Sequence, residues 1–169
     1  LFYYWTLLPL WKDLLDTGLI TRRLFKDMLN TPPYRLPNAG GEGSRLVDAV
    51  PGSFFMLKPG LLTPQDIEGL FDSRIFLYYE EKVLGRKFQE MGLKTVLVTD
   101  ESYVHAHSAT IDKSLKRMVD KQRLLHQSKL YYYREYLHAG PALMAAAGVA
   151  LDIILAEVWF LTVVCRMRW

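Results

Sequence analysis

The chain has 169 residues, of which half are apolar and 13% aromatic, and its formal net charge is +3 at pH 7. This length and apolar content are sufficient to bury one core of ordinary domain size, and they exclude an intrinsically disordered segment. Cys165 is the single cysteine, which excludes an internal disulfide and is typical of a protein of the reducing cytoplasm.

The first 30 residues predict one or two helices, followed by a loop. Apolar residues recur there at helical spacing, and they are Leu7, Leu10, Trp11, Leu14 and Leu15. The chain opens on Leu1 without the basic segment and cleavage site of a signal peptide, so we interpret it as continuing from a segment upstream. Between Asn30 and Gly43, three prolines and three glycines exclude a long regular element.

Strands and helices are predicted to alternate after this loop. Residues 47–58, VDAVPGSFFMLK, predict a short buried strand in which Gly52 lets another group come close. Thr63 followed by Pro64 predicts the start of a short helix.

The next segment predicts an extended run, a helix and a second strand. Residues 76–79, FLYY, are extended in character, and Glu80 and Glu81 begin a helix that ends at Gly92. Residues 94–100, KTVLVTD, predict a second buried strand. This order indicates an α/β domain with a mixed sheet.

The C-terminal part predicts a basic helix and then an apolar one. Basic residues gather in residues 112–138, among them Lys113, Lys116, Arg117, Lys121 and Arg123. Residues 141–164 are apolar and reach the length of a membrane span, but Asp152 and Glu157 are costly in lipid. We therefore predict a helix or hairpin that lies in the membrane interface or packs on the domain.

The basic helix is expected to attract the anionic lipids of the cytoplasmic leaflet, with a plain solvated face as the alternative. No nucleic acid partner is expected, because no nucleic-acid-binding module accompanies these charges.

Four ordered sequence blocks point to a family. They are VPGSFFMLK, GLFDSRIFLYYEE, GLKTVLV and VHAHS. Over residues 48–136 the chain resembles the acceptor-side half of bacterial family 2 glycosyltransferases of the rhamnosyltransferase type. The positions that match the family pattern are Gly52, Gly69, Phe71, Asp72, Phe76, Tyr78 and Glu80.

The resemblance implies a partial GT-A fold with a mixed sheet and a C-terminal helical extension. It implies an inverting enzyme that moves a sugar from a nucleotide-diphospho-sugar donor to a saccharide or lipid-linked acceptor, in the synthesis of a cell-surface polysaccharide. Such an enzyme would be cytoplasmic and peripheral to the inner face of the cell membrane.

The resemblance also assigns roles to individual residues. Glu81 takes the position of the catalytic base, which removes the proton of the acceptor hydroxyl as its oxygen attacks the anomeric carbon. Glu80 positions the acceptor or the base. The acceptor side is lined by Gly52, Ser53, Tyr78 and Tyr79. The alternative is that the two glutamates only complement the dipole of the helix that they begin.

A divalent metal, Mn²⁺ or Mg²⁺, is implied as the cofactor. His105 matches the family's metal-ligating histidine, and His107 competes for this role. The Asp-x-Asp metal motif and the nucleotide-binding strands of the family are not found in residues 1–169, so we expect them upstream and expect the isolated chain to be inactive. Val83 replaces a further acid of the family pattern, and Lys87 replaces an arginine, which affects the expected acceptor contacts.

We predict three segments. Residues 1–47 are a helical segment and loop within the GT-A domain, residues 48–111 its acceptor-side and catalytic half, and residues 112–169 the membrane-associating helices.

One alternative function is a noncatalytic membrane-peripheral binding module. Another is a processive polysaccharide synthase, because RMRW at residues 166–169 loosely resembles the acceptor motif of that class.

Overall fold

The computed structural model describes residues 4–29, 43–75, 77–103 and 117–167. These residues form a mixed α/β structure that is mostly helical and contains a small antiparallel sheet of two strands. They divide into two compact units. The first unit contains residues 4–7, 43–75 and 77–103, and the second contains residues 8–29 and 117–167.

The sheet of the first unit pairs β1 (Ser44–Val47) with β2 (Thr95–Val98). The register places Ser44 opposite Val98 and Val47 opposite Thr95, and an isolated bridge joins Trp5 to Ala49. The sheet is small and half exposed, since the side chains of Leu46, Val96 and Val98 are 62%, 49% and 48% exposed.

The structure corrects two strand predictions. The first strand ends at Val47 rather than extending through residues 47–58, where Pro51 has no N–H to donate and a turn begins at Gly52. The second strand lies where the sequence predicted it, but it is not buried. The two strands pair antiparallel, whereas the sequence predicted a mixed sheet. The further strand predicted beyond Tyr103 lies outside the described residues.

The helices of the first unit begin and end where local signals predict. Helix α4 (Pro64–Glu68) begins with a capping box, in which Thr63 and Asp66 each accept a hydrogen bond from the other's backbone N–H. Helix α5 (Glu80–Glu90) is followed by Gly92 at φ 71°, and the N–H of Leu93 donates to the carbonyl of Phe88 at 2.8 Å. Glycine takes this left-handed position without steric cost, so it ends the helix.

The second unit is entirely helical within the described residues. Its N-terminal part has three short helices, α1 (Leu10–Leu15), α2 (Leu19–Leu24) and α3 (Lys26–Leu29), where the sequence predicted one or two. Its C-terminal part has α6 (Met118–Glu135) and α7 (Pro141–Trp159), which continues through a π turn at Phe160–Val164. Helices α1 to α3 belong to the same compact unit as α6 and α7.

A buried ion pair lies in the core of this unit. Asp13 and Lys129 are 2% and 4% exposed, and the Nζ of Lys129 lies 2.7 Å from Oδ2 of Asp13. The Tyr133 hydroxyl donates to the same oxygen at 2.6 Å. Burial, and then the negative charge of Asp13, raise the pKa of Tyr133, which keeps its proton on the donating oxygen.

Candidate active site

The predicted catalytic pair lies in the first turn of α5. Glu80 and Glu81 are the first two residues of this helix, as the sequence predicted. The side chain of Glu81 is half buried. Its Oε1 accepts a hydrogen bond from the backbone N–H of Gly52 at 3.1 Å, across 29 positions of sequence.

A close approach of α5 to the segment before Gly52 produces this contact. A Cβ on Gly85 would lie 2.5 Å from the Asp48 carbonyl oxygen and 2.9 Å from the Ala49 Cβ, so only glycine fits there. Gly85 is one helical turn after Glu81 and faces the same side of α5. The same packing therefore places Glu81 beside Gly52.

Asp48 and Lys87 fix α5 from two sides. The Asp48 carboxylate accepts from the backbone N–H of Leu7 at 2.8 Å and from Nε2 of Gln89 at 3.3 Å. The Nζ of Lys87 donates to the carbonyl oxygens of Gly69 and Leu70 at 2.7 and 3.2 Å. Lys87 thus joins the helix to the GLFD segment at residues 69–72.

The backbone immediately before Glu80 is strained. Tyr78 and Tyr79 have φ values of 64° and 72°, in the left-handed region that costs a residue other than glycine roughly 1 kcal/mol or more. This corrects the prediction that residues 76–79 are extended, and Phe76 lies outside the described residues. The left-handed pair turns the chain sharply into α5.

The two tyrosines differ in how much of the side chain is exposed to a ligand. Tyr78 is half buried, whereas Tyr79 is 6% exposed. The Nζ of Lys82 lies 4.6 Å from the centre of the Tyr79 ring and 3.3 Å from its hydroxyl oxygen. Tyr79 therefore presents little surface to a ligand.

The two acids of the pair differ in environment. Partial burial raises the pKa of the Glu80 carboxyl, and the negative charge of Glu81 raises it further. Protonation of Glu80 relieves its repulsion with Glu81, which suits the positioning role predicted for Glu80.

An exposed polar and aromatic surface adjoins Glu81 through Gly52. The hydroxyls of Ser53 and Tyr103 lie 2.5 Å apart, and the rings of Phe54 and Tyr103 have their centres 5.4 Å apart. Phe54 and Tyr103 are 59% and 50% exposed. We name Gly52, Ser53, Phe54 and Tyr103 the platform.

Two members of the platform, Gly52 and Ser53, were predicted to line the acceptor side. The sequence did not predict Phe54 or Tyr103 as residues of the site. Tyr103 lies 50 positions after Ser53, so only the fold brings these two side chains together.

The predicted metal ligand cannot be placed, since His105 and the competing His107 lie outside the described residues. Among the residues that the structure does describe, no three His, Cys, Asp or Glu side chains form a group that could hold a metal ion. These residues do not by themselves fit Mn²⁺ or Mg²⁺.

The other motif residues frame the site. Gly69 and Leu70 meet Lys87 as described above, and the ring of Phe71 lies 6.3 Å from that of Phe55, measured between ring centres. Both carboxylate oxygens of Asp72 accept from the Arg74 guanidinium, at 3.0 and 3.1 Å. Asp72 thus orders the turn between α4 and the strained tyrosines.

Comparison of the chain with protein-family models, with curated proteins and with solved structures finds no match.

Proposed function

We propose that this chain is the acceptor-side half of an inverting glycosyltransferase of the family 2 type, with Glu81 as the general base. The hydrogen bond between Gly52 and Glu81 carries the proposal. It joins two of the sequence blocks on which the resemblance rests, VPGSFFMLK and GLFDSRIFLYYEE. A partial GT-A fold is part of the same proposal.

The hydrogen bond from Gly52 orients the carboxylate of the proposed base. A carboxylate has about four lone-pair directions, so a hydrogen bond from Gly52 to one oxygen orients Glu81 and leaves it able to accept a proton. In the reaction, Glu81 takes the proton of the acceptor hydroxyl while the hydroxyl oxygen bonds to the anomeric carbon. The bond from that carbon to the diphosphate breaks, and its electron pair leaves with the nucleoside diphosphate.

The platform is the proposed acceptor site. Exposed aromatic rings offer an apolar face for the C–H side of a sugar, and the Ser53 and Tyr103 hydroxyls offer hydrogen bonds. A saccharide or lipid-linked acceptor bound there would lie next to Glu81. Glu80 would hold the acceptor or the base in place.

The remaining expectations belong to the same proposal. The donor is a nucleotide-diphospho-sugar, His105 contributes to a Mn²⁺ or Mg²⁺ site, and the enzyme works on the cytoplasmic side of the cell membrane in polysaccharide synthesis. When bound, the metal would stabilise the negative charge that develops on the leaving diphosphate.

The test is sugar transfer by the protein expressed from its complete reading frame, with UDP-, GDP- and dTDP-sugars and Mn²⁺. Glu81→Gln removes the base and keeps the side-chain length, so kcat should fall by about a hundredfold or more. Glu81→Asp keeps a carboxylate and should recover part of the activity. Glu90→Gln, in the last turn of the same helix, is the matched control and should stay within a few fold of the wild type.

Equal activity of Glu81→Gln and Glu90→Gln would show that Glu81 only caps α5. The noncatalytic membrane-peripheral module is the second candidate function, favoured by the exposed apolar side of α7. The absence of sugar transfer by the wild type with every donor, together with binding to lipid, would favour this candidate.

A further inference from the structure

Helix α5 begins without the usual capping signals. Tyr79 is the residue before its first turn, and within the described part of the chain its side chain makes no capping hydrogen bond to the helix. Serine, threonine, asparagine and aspartate commonly accept such a bond, and they do so from extended backbone. Tyr79 instead has φ 72° and ψ −4°, in the left-handed region. The start of α5 is therefore held by contacts of another kind.

The side chain of Lys82 lies against the Tyr79 ring. Its Nζ lies 4.6 Å from the ring centre, which is the distance of a cation–π contact, and 3.3 Å from the hydroxyl oxygen. The distance to the hydroxyl is long for a hydrogen bond, so the attraction of the ammonium to the ring is the stronger part of the contact. Tyr79 is buried and Lys82 is half-buried, which strengthens this attraction because water screens it less.

The Tyr79 ring is attached to a strained turn that needs such a contact. Successive left-handed residues other than glycine, here Tyr78 and Tyr79, persist only where the surrounding structure holds them. The Tyr79 carbonyl also accepts from the backbone N–H of Val83 at 2.9 Å, in the first turn of α5. A contact that fixes the Tyr79 side chain therefore fixes both the left-handed turn and the direction in which α5 begins.

The same turn determines where Glu81 lies. Gly85 and Lys87 fix the later part of α5, as described above, whereas Glu81 lies in the first turn, two residues after Tyr79. If Tyr79 changed its backbone conformation, the first turn would move and the Glu81 carboxylate would lose its position beside the N–H of Gly52. The contact of Lys82 with Tyr79 thus acts on Glu81 through the backbone of the turn.

We propose that Lys82 is a positioning residue, whose ammonium holds the Tyr79 ring and thereby the strained turn that keeps Glu81 hydrogen-bonded to Gly52. The role of Glu81 as the base rests on the proposed function, whereas the control of its position by Lys82 does not. The competing role for Lys82 is direct binding of an anionic group of the substrate. The two roles predict different kinetics and different backbone dynamics.

The first experiment measures amide hydrogen exchange in the full chain by NMR. The hydrogen bond to Glu81 slows exchange of the Gly52 amide, and the bond to Tyr79 slows that of Val83. Lys82→Met removes the charge and keeps the side-chain length, so both amides should exchange about fivefold faster, as expected for the loss of a cation–π contact.

An internal reference for this experiment lies at the other end of α5. The N–H of Leu93 donates to the Phe88 carbonyl at 2.8 Å, and its exchange rate should not change in Lys82→Met. An equal acceleration at Leu93 and Gly52 would show a general loss of stability and would overturn the positioning role.

Two variants test whether the charge over the ring is the cause. Lys82→Arg keeps a cation that can stack on an aromatic ring, so the exchange rates of Gly52 and Val83 should return towards those of the wild type. Lys94→Met, at an exposed lysine between α5 and β2, is the matched control and should stay within a factor of about two. Circular dichroism of each variant checks that its helices are intact.

The second experiment measures sugar transfer by the protein expressed from its complete reading frame. Lys82→Met should lower kcat about fivefold and leave KM for the acceptor unchanged, because a misplaced base slows the chemical step rather than binding. Lys82→Arg should recover most of the loss. A raised KM with an unchanged kcat would show that Lys82 binds substrate, and would overturn the positioning role.

The two experiments separate this proposal from the proposed function. Exchange at Gly52 that is the same in Lys82→Met and the wild type would overturn the positioning role, whatever the protein catalyses. Faster exchange at Gly52 with unchanged kcat would overturn the link from this contact to catalysis. The absence of sugar transfer by the wild type would count against the proposed function alone, and the exchange rates would still decide whether Lys82 positions Glu81.

Discussion

The backbone N–H of Gly52 and the carboxylate of Glu81 lie 3.1 Å apart, and the close packing of Gly85 on the Asp48 carbonyl holds them together. A Cβ on Gly52 would make ordinary contacts of 3.5 to 3.8 Å with the Glu81 side chain. A Cβ on Gly85 would instead overlap the backbone of Asp48. The glycine that decides the position of the proposed base is therefore Gly85, one helical turn after Glu81.

Gly85→Ala should destabilise the first unit and displace Glu81. The clash with backbone atoms cannot be relieved by a side-chain rotation, so we expect a loss of about 1–3 kcal/mol in the free energy of unfolding. Urea unfolding followed by circular dichroism measures it. The control is Gly148→Ala in α7, where a Cβ has nothing within 4 Å and should stabilise by about 0.5–1 kcal/mol. Similar effects of both substitutions would contradict the assigned packing.

Glu80→Gln should stabilise the protein at neutral pH. Because the folded-state pKa of Glu80 is raised, ionisation of Glu80 weakens the fold, and its favourable contribution is lost as pH rises through the folded pKa. At pH 7 the variant should gain less than about 1 kcal/mol, since solvent screens this partly exposed carboxyl. The gain should disappear below pH 4.5, the ordinary pKa of glutamate. Urea unfolding measures the gain, and equal values for Glu80→Gln and the wild type at pH 7 would contradict this prediction.

Asp13→Ala should strongly destabilise the second unit. It leaves the Lys129 ammonium buried without its counter-charge and removes the acceptor of the Tyr133 hydroxyl, which costs about 3–5 kcal/mol. Tyr133→Phe keeps the ion pair and should cost less, about 1.5–3 kcal/mol. The double variant Asp13→Leu, Lys129→Met should lose less free energy of unfolding than its two single variants lose together. Additive losses would show that the pair is not coupled.

The stability of the second unit should fall between pH 6.5 and pH 4. Burial, and then the charge of Lys129, lower the pKa of His126 to about 4, while Asp152 opposes the shift. The unfolded chain therefore takes up a proton near pH 6.5 that the folded chain accepts only near pH 4. The free energy of unfolding should fall by about 3 kcal/mol in total, at roughly 1.4 kcal/mol per pH unit. Urea unfolding at several pH values should show a flatter profile for His126→Gln, and an identical profile would contradict this prediction.

Local signals predicted the elements whose stabilising contacts are local. The capping box at Thr63, the start of α5 at Glu80 and its end at Gly92 depend on residues within one helical turn, so their residue types suffice. The length of α7 likewise follows from a long apolar run that begins at Pro141 and is interrupted only by Asp152 and Glu157. The second strand was also predicted in place. The first strand lies at Ser44–Val47 and not over residues 47–58, where Pro51 cannot donate a backbone hydrogen bond and a turn begins at Gly52.

The sequence alone predicted the mixed α/β composition and the main helices. It also predicted Glu80 and Glu81 as the candidate catalytic acids. Only the tertiary structure decided that Glu81 faces Gly52, that Tyr78 and Tyr79 are left-handed, and that α1 binds α6 through Asp13 and Lys129, 116 positions apart. The physical reason is that helix caps and apolar periodicity act between near neighbours in sequence. A hydrogen bond or ion pair between distant residues forms only where the packing of whole elements brings the two groups together.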